Sequence, residues 1–254
     1  MLFSKTTFLG IDPTAGEKPF VYAALDNDLR LLALGGGNID DMLAFAAGQA
    51  ACVAAVCAPP RPNQGLMRRE GVRAALSPAP HPGRWENCRV ADYQLRLYQL
   101  SIPATPDQES ACSGWMRMGF SLHRRLAELD YCAYPQAGER QALEVYPYAC
   151  YAALLERLPF PKHTLEGRLQ RQLALFERKL GVPDPMDFFE EVTRHRLLRG
   201  ILPLEMLYSA GELDALAAAY TAWLAAVHPE QISLLGDPGE GQVVLPTAAP
   251  KLYA

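Results

Sequence analysis

The sequence of 254 residues contains few lysines and no excess of positive charge. Five residues are lysine, so arginine supplies most of the 24 cationic side chains, which face 28 acidic ones and leave a formal net charge of -4. Proteins that coat nucleic acid without sequence preference are usually basic overall, and the composition argues against that class. Any contact with nucleic acid must come from a local basic face, for which arginine suits bidentate phosphate contacts. A coding bias towards Arg, Ala and Leu would explain the same arginine content.

Closely spaced cysteine pairs and long apolar segments are also absent. None of the six cysteines forms a CxxC pair and no histidine lies at zinc-finger spacing, which argues against a structural zinc site. Several cysteines lie in apolar runs, where a free thiol behaves as a small core side chain, so we expect a cytoplasmic protein. Asp12 interrupts the first apolar run too early for a secretory signal, and no apolar stretch could span a bilayer. We expect no membrane partner, and the sequence does not indicate an oligomeric state.

The first 60 residues have the pattern of a sheet that begins with three short strands. The runs FLGID, FVYAALD and LRLLAL are of strand type, and the tight turn between the second and third favours an antiparallel meander. Asn38 is predicted to cap a helix, and Gly35-Gly36-Gly37 is interpreted as the turn before it, because no Lys-Ser or Lys-Thr pair follows as in a phosphate loop. A buried strand then runs to Pro59, and the helix before it allows this strand to lie parallel to the first.

The rest of the chain predicts a helical insertion followed by alternating strands and helices. Residues 59–130 are proline-rich and end in an amphipathic helix predicted over residues 107–129. Strands are predicted in ALEVYP and QVVLP, and helices over residues 148–158, 165–180, 187–198 and 212–227, the second of them capped by Thr164. The order predicts a single RNase H-like α/β domain over residues 1–254. Its mixed five-stranded sheet has a three-strand meander followed by parallel strands, with flanking helices and an insertion at about residues 59–130.

Three acidic residues lie at the edges of elements that point into the predicted core. Asp12 ends the first strand, Glu144 lies in the strand ALEVYP, and Asp214 is predicted to open the last helix. A carboxylate is costly to bury unless it is paired or binds a metal, and three together would form a hard oxygen site for Mg²⁺ or Mn²⁺. The three are therefore candidate metal ligands and candidate catalytic residues.

Each carboxylate also has an ordinary structural explanation. Asp12 could form an Asx turn into Pro13-Thr14, Asp214 could be a first-turn helix acid, and Glu144 could pair with a nearby arginine. For any one residue, the two explanations have equal weight. Their joint occurrence on this fold pattern favours the site, most strongly for Asp12 and Asp214.

Two basic or polar segments are candidate substrate-binding regions. One follows the fourth predicted strand, at the end of a parallel sheet where α/β folds bind ligands, and the other precedes and begins the helix capped by Thr164. Solvated loop and helix surfaces would account for the same residues. His163 could be a general acid or a polar residue before the cap, and the second interpretation is favoured. The candidate substrate-binding residues are Arg61, Asn63, Gln64, Arg68, Arg69, Lys162 and Arg168.

Several motifs resemble those of the domain-of-unknown-function family 429, whose members are predicted to be RNase H-like nucleases. The resemblance covers about residues 8–246, and its motifs are short but occur in a specific order. It implies an RNase H-like fold and a nuclease activity. The motifs are Gly10-Ile11-Asp12, Glu144-Val145-Tyr146-Pro147, the run from Lys162 to Arg168, the run from Leu213 to Ala222, and the ending from Gly239 to Pro246.

The chain departs from the family pattern at one position of the fourth strand. The family commonly has Asp-x-Pro there, whereas this chain has Cys57-Ala58-Pro59. Cysteine is a soft ligand and a poor one for Mg²⁺. Three alternatives follow: Glu144 supplies the missing ligand, the site binds metal weakly, or the site is not catalytic.

The leading hypothesis is a metal-dependent nuclease or phosphodiesterase. Two metals roughly 4 Å apart would neutralise the scissile phosphate and activate water, with Asp12 bridging them. The alternative is a degenerate RNase H-like module that binds nucleic acid or protein without turnover, because Cys57 replaces an acid. An actin-like ATPase or sugar kinase ranks last. GIDPTAG resembles a first phosphate loop of that class, but the chain shows neither a duplicated domain nor a second glycine-rich loop.

Overall fold

The computed structural model describes residues 6–14, 19–81 and 83–253, which fold around one mixed β-sheet. The strand order is β3-β2-β1-β4-β6-β8-β7, and the short β5 pairs with β6. The strands are β1 (Thr7–Asp12), β2 (Phe20–Leu25), β3 (Leu31–Gly37), β4 (Cys52–Val56), β5 (Cys132–Ala133), β6 (Arg140–Glu144), β7 (Ser233–Asp237) and β8 (Gly241–Leu245).

The predicted meander and the parallel fourth strand are both confirmed. β1 pairs antiparallel with β2, β2 pairs antiparallel with β3, and β4 lies parallel to β1 on its other side. The prediction for Gly35-Gly36-Gly37 was wrong, because these glycines pair with Phe20, Val21 and Tyr22 as the end of β3. Three consecutive glycines are typical of a turn, and the sequence did not indicate that β3 continues through them to the helix cap at Asn38.

The sheet is wider than the five strands predicted. β6 lies parallel to β4, β8 continues the parallel set beside β6, and β7 pairs antiparallel with β8 at the edge. The two-residue β5 and the strand β7 were missed. β7 has the sequence SLLGD, which is too short and too polar at its ends to show a strand period. The mixed α/β class with an RNase H-like order is compatible with this sheet.

The described residues, 6–14, 19–81 and 83–253, contain nine α-helices. Of them, none combines the length and the hydropathy that a membrane span requires. The helices are α1 (Ile39–Ala47), α2 (Glu70–Ala74), α3 (Val90–Leu97), α4 (Gly114–Glu128), α5 (Pro147–Leu155), α6 (Leu165–Phe176), α7 (Asp187–Glu191), α8 (Arg194–Leu198) and α9 (Ala210–Val227).

The helix caps were predicted better than the helix lengths. Asn38 caps α1, and its side chain accepts hydrogen bonds from the backbone of Asp40 and Asp41, while Thr164 caps α6. The amphipathic helix predicted from residue 107 begins only at Gly114, after a 3-10 turn. The helix predicted over residues 187–198 is two short helices. Caps are local hydrogen bonds and so are readable in sequence, whereas the extent of a helix depends on what it packs against.

The sheet separates two cores because alternate residues of each strand face opposite ways. Phe8, Ala55 and Val145 face α5, α6 and α9, whereas Leu9 and Ile11 face α1 and α4. α9 is the central helix of the first core. It is apolar on all sides and buries most of its residues, as expected of a helix enclosed by other elements.

Close contact between α9 and β1 depends on a glycine. A Cβ atom at Gly10 would lie 1.9 Å from the carbonyl oxygen of Ala215 and 2.4 Å from the backbone nitrogen of Ala219. Both atoms belong to the backbone and cannot move aside, so only glycine fits here. The consequence is that the end of β1 and the start of α9 meet.

The segment between β4 and β6 packs onto the sheet by helices α3 and α4. α4 contributes Leu122 and Leu126 to the core beside α1, and α3 packs against β7 and β8. Glu240, fully buried, accepts hydrogen bonds from the backbone of Gln64, Leu66 and Val90 and so fastens this segment to the turn between β7 and β8. Earlier in the same segment, a 3-10 turn over Leu66–Arg68 precedes the five-residue α2.

Candidate functional site

Two of the three predicted carboxylates meet at one end of the sheet. Asp12 is the last residue of β1 and lies on the face covered by α9, and Asp214 lies in the second turn of α9. Asp214 therefore does not open the helix as predicted. Ser209 is the N-cap, and Glu212 is the first-turn acid that completes a capping box with it. A first-turn role thus explains Glu212 and leaves the burial of Asp214 unexplained.

Lys162 is the cation of this pair of aspartates. Its Nζ donates a hydrogen bond to Oδ2 of Asp214 at 2.6 Å, and its side chain remains 43% exposed. Two neighbours hold it in place. Thr164 caps α6, and Gly167 allows that helix to approach the carbonyl oxygen of Pro161, which would lie 1.9 Å from an added Cβ. The segment before α6 thus delivers a lysine to the acidic pair.

The charge of the pair is not fully balanced. Burial and then repulsion from Asp214 raise the pKa of Asp12 from 3.8 to about 6, although Lys162 and a backbone hydrogen bond from Thr14 lower it. That bond is the Asx turn considered for Asp12. Burial also raises the pKa of Asp214, against the opposing attraction of Lys162 and Arg171. Burial alone would lower the pKa of Lys162, but the two aspartates outweigh it and raise that pKa.

Cys57 lies beside Asp12, at the place where the resemblance implies an acid. Its backbone N–H donates to the carbonyl oxygen of Ile11, which continues the pairing of β4 with β1. Its Sγ lies 3.9 Å from the carbonyl oxygen of Asp214. Burial, and then the nearby Asp12 and Asp214, raise the pKa of the thiol well above its ordinary value. The thiol therefore stays protonated and adds no negative charge.

Glu144 is not brought to this pair. Its neighbours Leu143 and Val145 face α9, so Glu144 faces the opposite side of the sheet. There its two oxygens accept hydrogen bonds of 2.8 and 2.7 Å from Arg89, which also binds Asp92. The structural explanation, a partner for a nearby arginine, is the one observed. Alternation along β6 places consecutive residues on different faces, and the expected cluster of three carboxylates is a pair.

An open cleft of about 1000 Å³ contains the pair. It opens where β1 and β4 end, which is where α/β folds usually bind ligands. Aromatic side chains contribute to its wall together with cationic ones. Its lining includes Asp12, Cys57, Trp115, Tyr146, Tyr148, Lys162, His163, Arg171, Ser209, Glu212 and Asp214.

The family described as "Protein of unknown function (DUF429)" matches residues 10–240 of the chain. The chain belongs to this family. The match covers most of the described residues and includes both aspartates, Lys162 and Cys57. No curated protein and no solved structure matches the chain. Family membership therefore supports the resemblance and leaves the activity to be argued from the site.

The other predicted substrate-binding residues of this DUF429 chain lie away from the cleft. Arg68 forms an ion pair of 2.6 Å with Asp107, and Asn63 is buried with its Oδ1 bound to the backbone of Gly65. None of the five described residues predicted between positions 61 and 69 contributes to the cleft lining. Arg168 donates to the carbonyl oxygens of Leu204, Leu207 and Tyr208, and so supports the segment before α9. Of the seven candidates, Lys162 is the one at the cleft.

Sequence reasoning missed the aromatic side chains of the cleft, and it placed Arg171 in the second basic segment without making it a candidate substrate-binding residue. Tyr146 and Tyr148 flank Pro147 directly after β6, a position at the carboxyl end of a parallel strand that could have drawn attention to them. Arg171 lies four residues after Gly167 on α6, so the two share one helix face, and that spacing was a usable signal. Trp115 is distant in sequence from the other cleft residues, and its position did not indicate that it would line the cleft.

The donor set fits one divalent cation better than two. In the part of the chain that the structure describes, no group of three or more His, Cys, Asp or Glu residues could hold a metal. Asp12 and Asp214 offer hard oxygen ligands, and Mg²⁺ is commonly held by one or two carboxylates with water and substrate phosphate completing its shell. Burial raises the pKa of both acids by more than the nearby cations lower it, and a bound divalent cation would favour their ionised forms.

Proposed function

We propose that the cleft binds nucleic acid and hydrolyses a phosphodiester bond, with Asp12 and Asp214 holding one Mg²⁺ or Mn²⁺. The observation that supports it is the meeting of the half-buried Asp12 and the buried Asp214, both under-neutralised, in an open cleft at the carboxyl ends of β1 and β4. Burying two acids side by side is unfavourable for folding, and such perturbed acids in a cleft are candidates for function. A purely structural pair would be expected to have full compensation.

The chain's own residues have separate tasks in this proposal. A bound cation would neutralise charge on the scissile phosphate and lower the pKa of a water molecule. Lys162, half-exposed beside Asp214, lies where it can donate to a phosphate oxygen. The half-buried rings of Trp115, Tyr146 and Tyr148 offer faces on which bases can stack, a contact that tolerates any base. The overall acidic chain thus needs only this local surface to contact nucleic acid.

The test is a cleavage assay on single-stranded, duplex and branched DNA and RNA with Mn²⁺ or Mg²⁺. We expect cutting that requires the metal and falls at least about a hundredfold in Asp12→Asn, since the carboxylate that holds the ion is lost. Asp28→Asn makes the same chemical change in the exposed turn between β2 and β3 and should cleave like the wild type. Full activity in folded Asp12→Asn would contradict the proposal.

Cys57 supports a second candidate, a degenerate module that binds nucleic acid without cleaving it. The thiol lies beside Asp12 where an acid is expected, and it carries no charge. In this case the wild type should bind oligonucleotides with or without a chelator and cut none. Cys57→Asp would then recover metal-dependent cleavage, and its melting temperature should rise on addition of Mn²⁺, because a third oxygen ligand strengthens the site. Cutting by the wild type would exclude this candidate.

A further inference from the structure

Arg171 is a buried arginine whose hydrogen bonding is incomplete. Its side chain is 2% exposed, and its Nη1 donates to the carbonyl oxygens of Phe160 and Gly167 at 2.7 and 3.1 Å. Its Nε has no hydrogen-bond partner among the described residues. The guanidinium lies over the ring of Tyr151, with 5.1 Å between the Cζ atom and the ring centroid. Nε is itself closed to solvent, so an acceptor from the cleft would reach it only after a small movement of the guanidinium.

The charge of Arg171 is also without a direct partner. Within residues 6–14, 19–81 and 83–253, no carboxylate forms a salt bridge with it. Burial lowers its pKa, and the attraction of Asp214 offsets only part of that effect. Asp214 is itself bound to Lys162. A buried guanidinium without an anion is costly, because carbonyl dipoles replace only part of the lost hydration.

Arg171 lies at the cleft, so an anion bound in the cleft would supply the partner that its charge lacks. Arg171 contributes to the cleft wall, on the side of α6, and it interacts electrostatically with Asp214. Its ring neighbour Tyr151 donates to the carbonyl oxygen of Leu213, the residue before Asp214. An anion bound by Arg171 would therefore lie next to the acidic pair.

We propose that Arg171 is a phosphate-binding residue of the cleft, which takes a phosphate group of a nucleotide or nucleic acid beside Asp12 and Asp214. The inference deepens the proposed function and rests on it for the identity of the substrate class. Arginine presents several donors in a fixed fork that matches phosphate oxygens, and the aromatic side chains of the same cleft suit the attached base. Arg171 is therefore tested without a divalent cation, so that metal-bridged binding of the phosphate does not contribute.

The first experiment measures binding to the full-length wild type by calorimetry in the presence of a chelator. The ligands are a nucleoside 5′-monophosphate, the matching nucleoside and inorganic phosphate. We expect the monophosphate to bind at least about tenfold more tightly than the nucleoside, since a charge-assisted hydrogen bond contributes that much. Equal affinity of the monophosphate and the nucleoside would overturn the proposal without any variant being made.

The second experiment compares Arg171→Lys with Arg178→Lys. Arg178 is the matched control, because it also donates to two backbone carbonyl oxygens, those of Leu154 and Ala174, but does not contribute to the cleft. Arg171→Lys keeps the charge and loses the fork, so monophosphate affinity should fall by about tenfold while nucleoside affinity is unchanged. Arg178→Lys should leave both affinities unchanged. An unchanged monophosphate affinity in Arg171→Lys would reject the role of Arg171.

The two proposals can fail separately. Phosphate-dependent binding with no cleavage of any substrate supports Arg171 and favours the non-catalytic module. Metal-dependent cleavage by a protein that does not distinguish the monophosphate from the nucleoside supports the nuclease and rejects the phosphate site. Should Arg171→Lys fail to fold, as judged by circular dichroism, the wild-type comparison alone decides.

Discussion

Two groups of buried or half-buried acids lie on opposite faces of the same sheet and differ in how completely cations compensate their charge. On one face, Arg89 binds Glu144 with two hydrogen bonds and Asp92 with further ones, and all three side chains are 5% exposed or less. On the other face, the ammonium group of Lys162, which is partly in solvent, forms an ion pair with Asp214 and attracts Asp12 only at longer range. Each group has one directly bonded cation, but Arg89 bonds to both of its acids, whereas Lys162 bonds to Asp214 alone.

The comparison shows how to separate structural acids from candidate functional ones. Burial alone would lower the pKa of Arg89, but Glu144 and then Asp92 raise it above its ordinary value, as expected of a satisfied network. The pKa of Asp12 is instead raised to about 6 by burial and by Asp214. Compensated acids hold the fold together, and under-compensated acids beside a cleft are available for a ligand.

The largest loss of stability is expected from breaking the ion-pair network of Arg89, Glu144 and Asp92. Arg89→Met leaves Glu144 and Asp92 buried without their cation, and we expect the free energy of unfolding to fall by about 3–5 kcal/mol. Glu144→Met should cost a similar amount. The double variant Arg89→Met/Glu144→Met should lose less than the sum, measured by chemical denaturation at pH 7.5. Strict additivity would show that the two side chains do not act as a pair.

A change at Asp12 is expected to stabilise the protein, whereas the changes at Arg89 and Glu144 destabilise it. Raising the pKa of Asp12 from 3.8 to about 6 costs the folded state about 3 kcal/mol when the acid is ionised. Asp12→Asn removes that charge and should stabilise the protein at pH 7.5 by about 1–3 kcal/mol while abolishing cleavage. The measurement is denaturation in guanidinium chloride beside Asp28→Asn, which should not change stability. Destabilisation by Asp12→Asn would end the distinction between the two acidic groups.

The stabilisation by Asp12→Asn should depend on pH, because Asp12 destabilises the folded state only when it is ionised. An acid with a raised pKa binds more protons in the folded state, so its cost appears as pH rises from about 4 and is complete above about 6. The stability difference between Asp12→Asn and the wild type should therefore be largest at pH 7.5 and vanish near pH 4. Cleavage that needs ionised Asp12 should also increase with pH, but at lower pH, because a bound cation would favour the ionised acid. A stability difference that does not change with pH would mean that another consequence of Asp12→Asn, such as altered packing, is responsible.

A smaller loss of stability is expected from removing the ammonium group of Lys162. Lys162→Met leaves Asp214 buried without its hydrogen bond, but protonation and the open cleft relieve part of the penalty. We expect a loss of about 1–2 kcal/mol at pH 7.5 and less at pH 5. Lys251→Met removes an exposed ion pair with Glu156 and serves as the control, with no measurable change. Equal effects of the two variants would place Lys162 among ordinary surface lysines.

The predictable part of this fold is the part with local signals. The three-strand meander, the caps at Asn38 and Thr164, and the parallel fourth strand were all read from apolar patterns and cap residues, and all are confirmed. The edge strand β7 and the split of residues 187–198 into two helices were not, because short polar-ended segments take their conformation from neighbouring elements.

For the candidate site, sequence patterns identified the residue types, and only the tertiary structure determined their grouping. Asp12, Asp214 and Lys162 come together because Gly10 lets α9 contact β1 and because Gly167 lets α6 approach Pro161. Glu144 faces the other way because side chains alternate along β6, and its partner Arg89 comes from a helical segment 55 residues earlier. The sequence by itself placed three acids at the edges of core elements, but it did not indicate that Asp92 and Glu240 would be buried. Whether each one found a compensating charge depended on which face of the sheet it occupied and on what packed there.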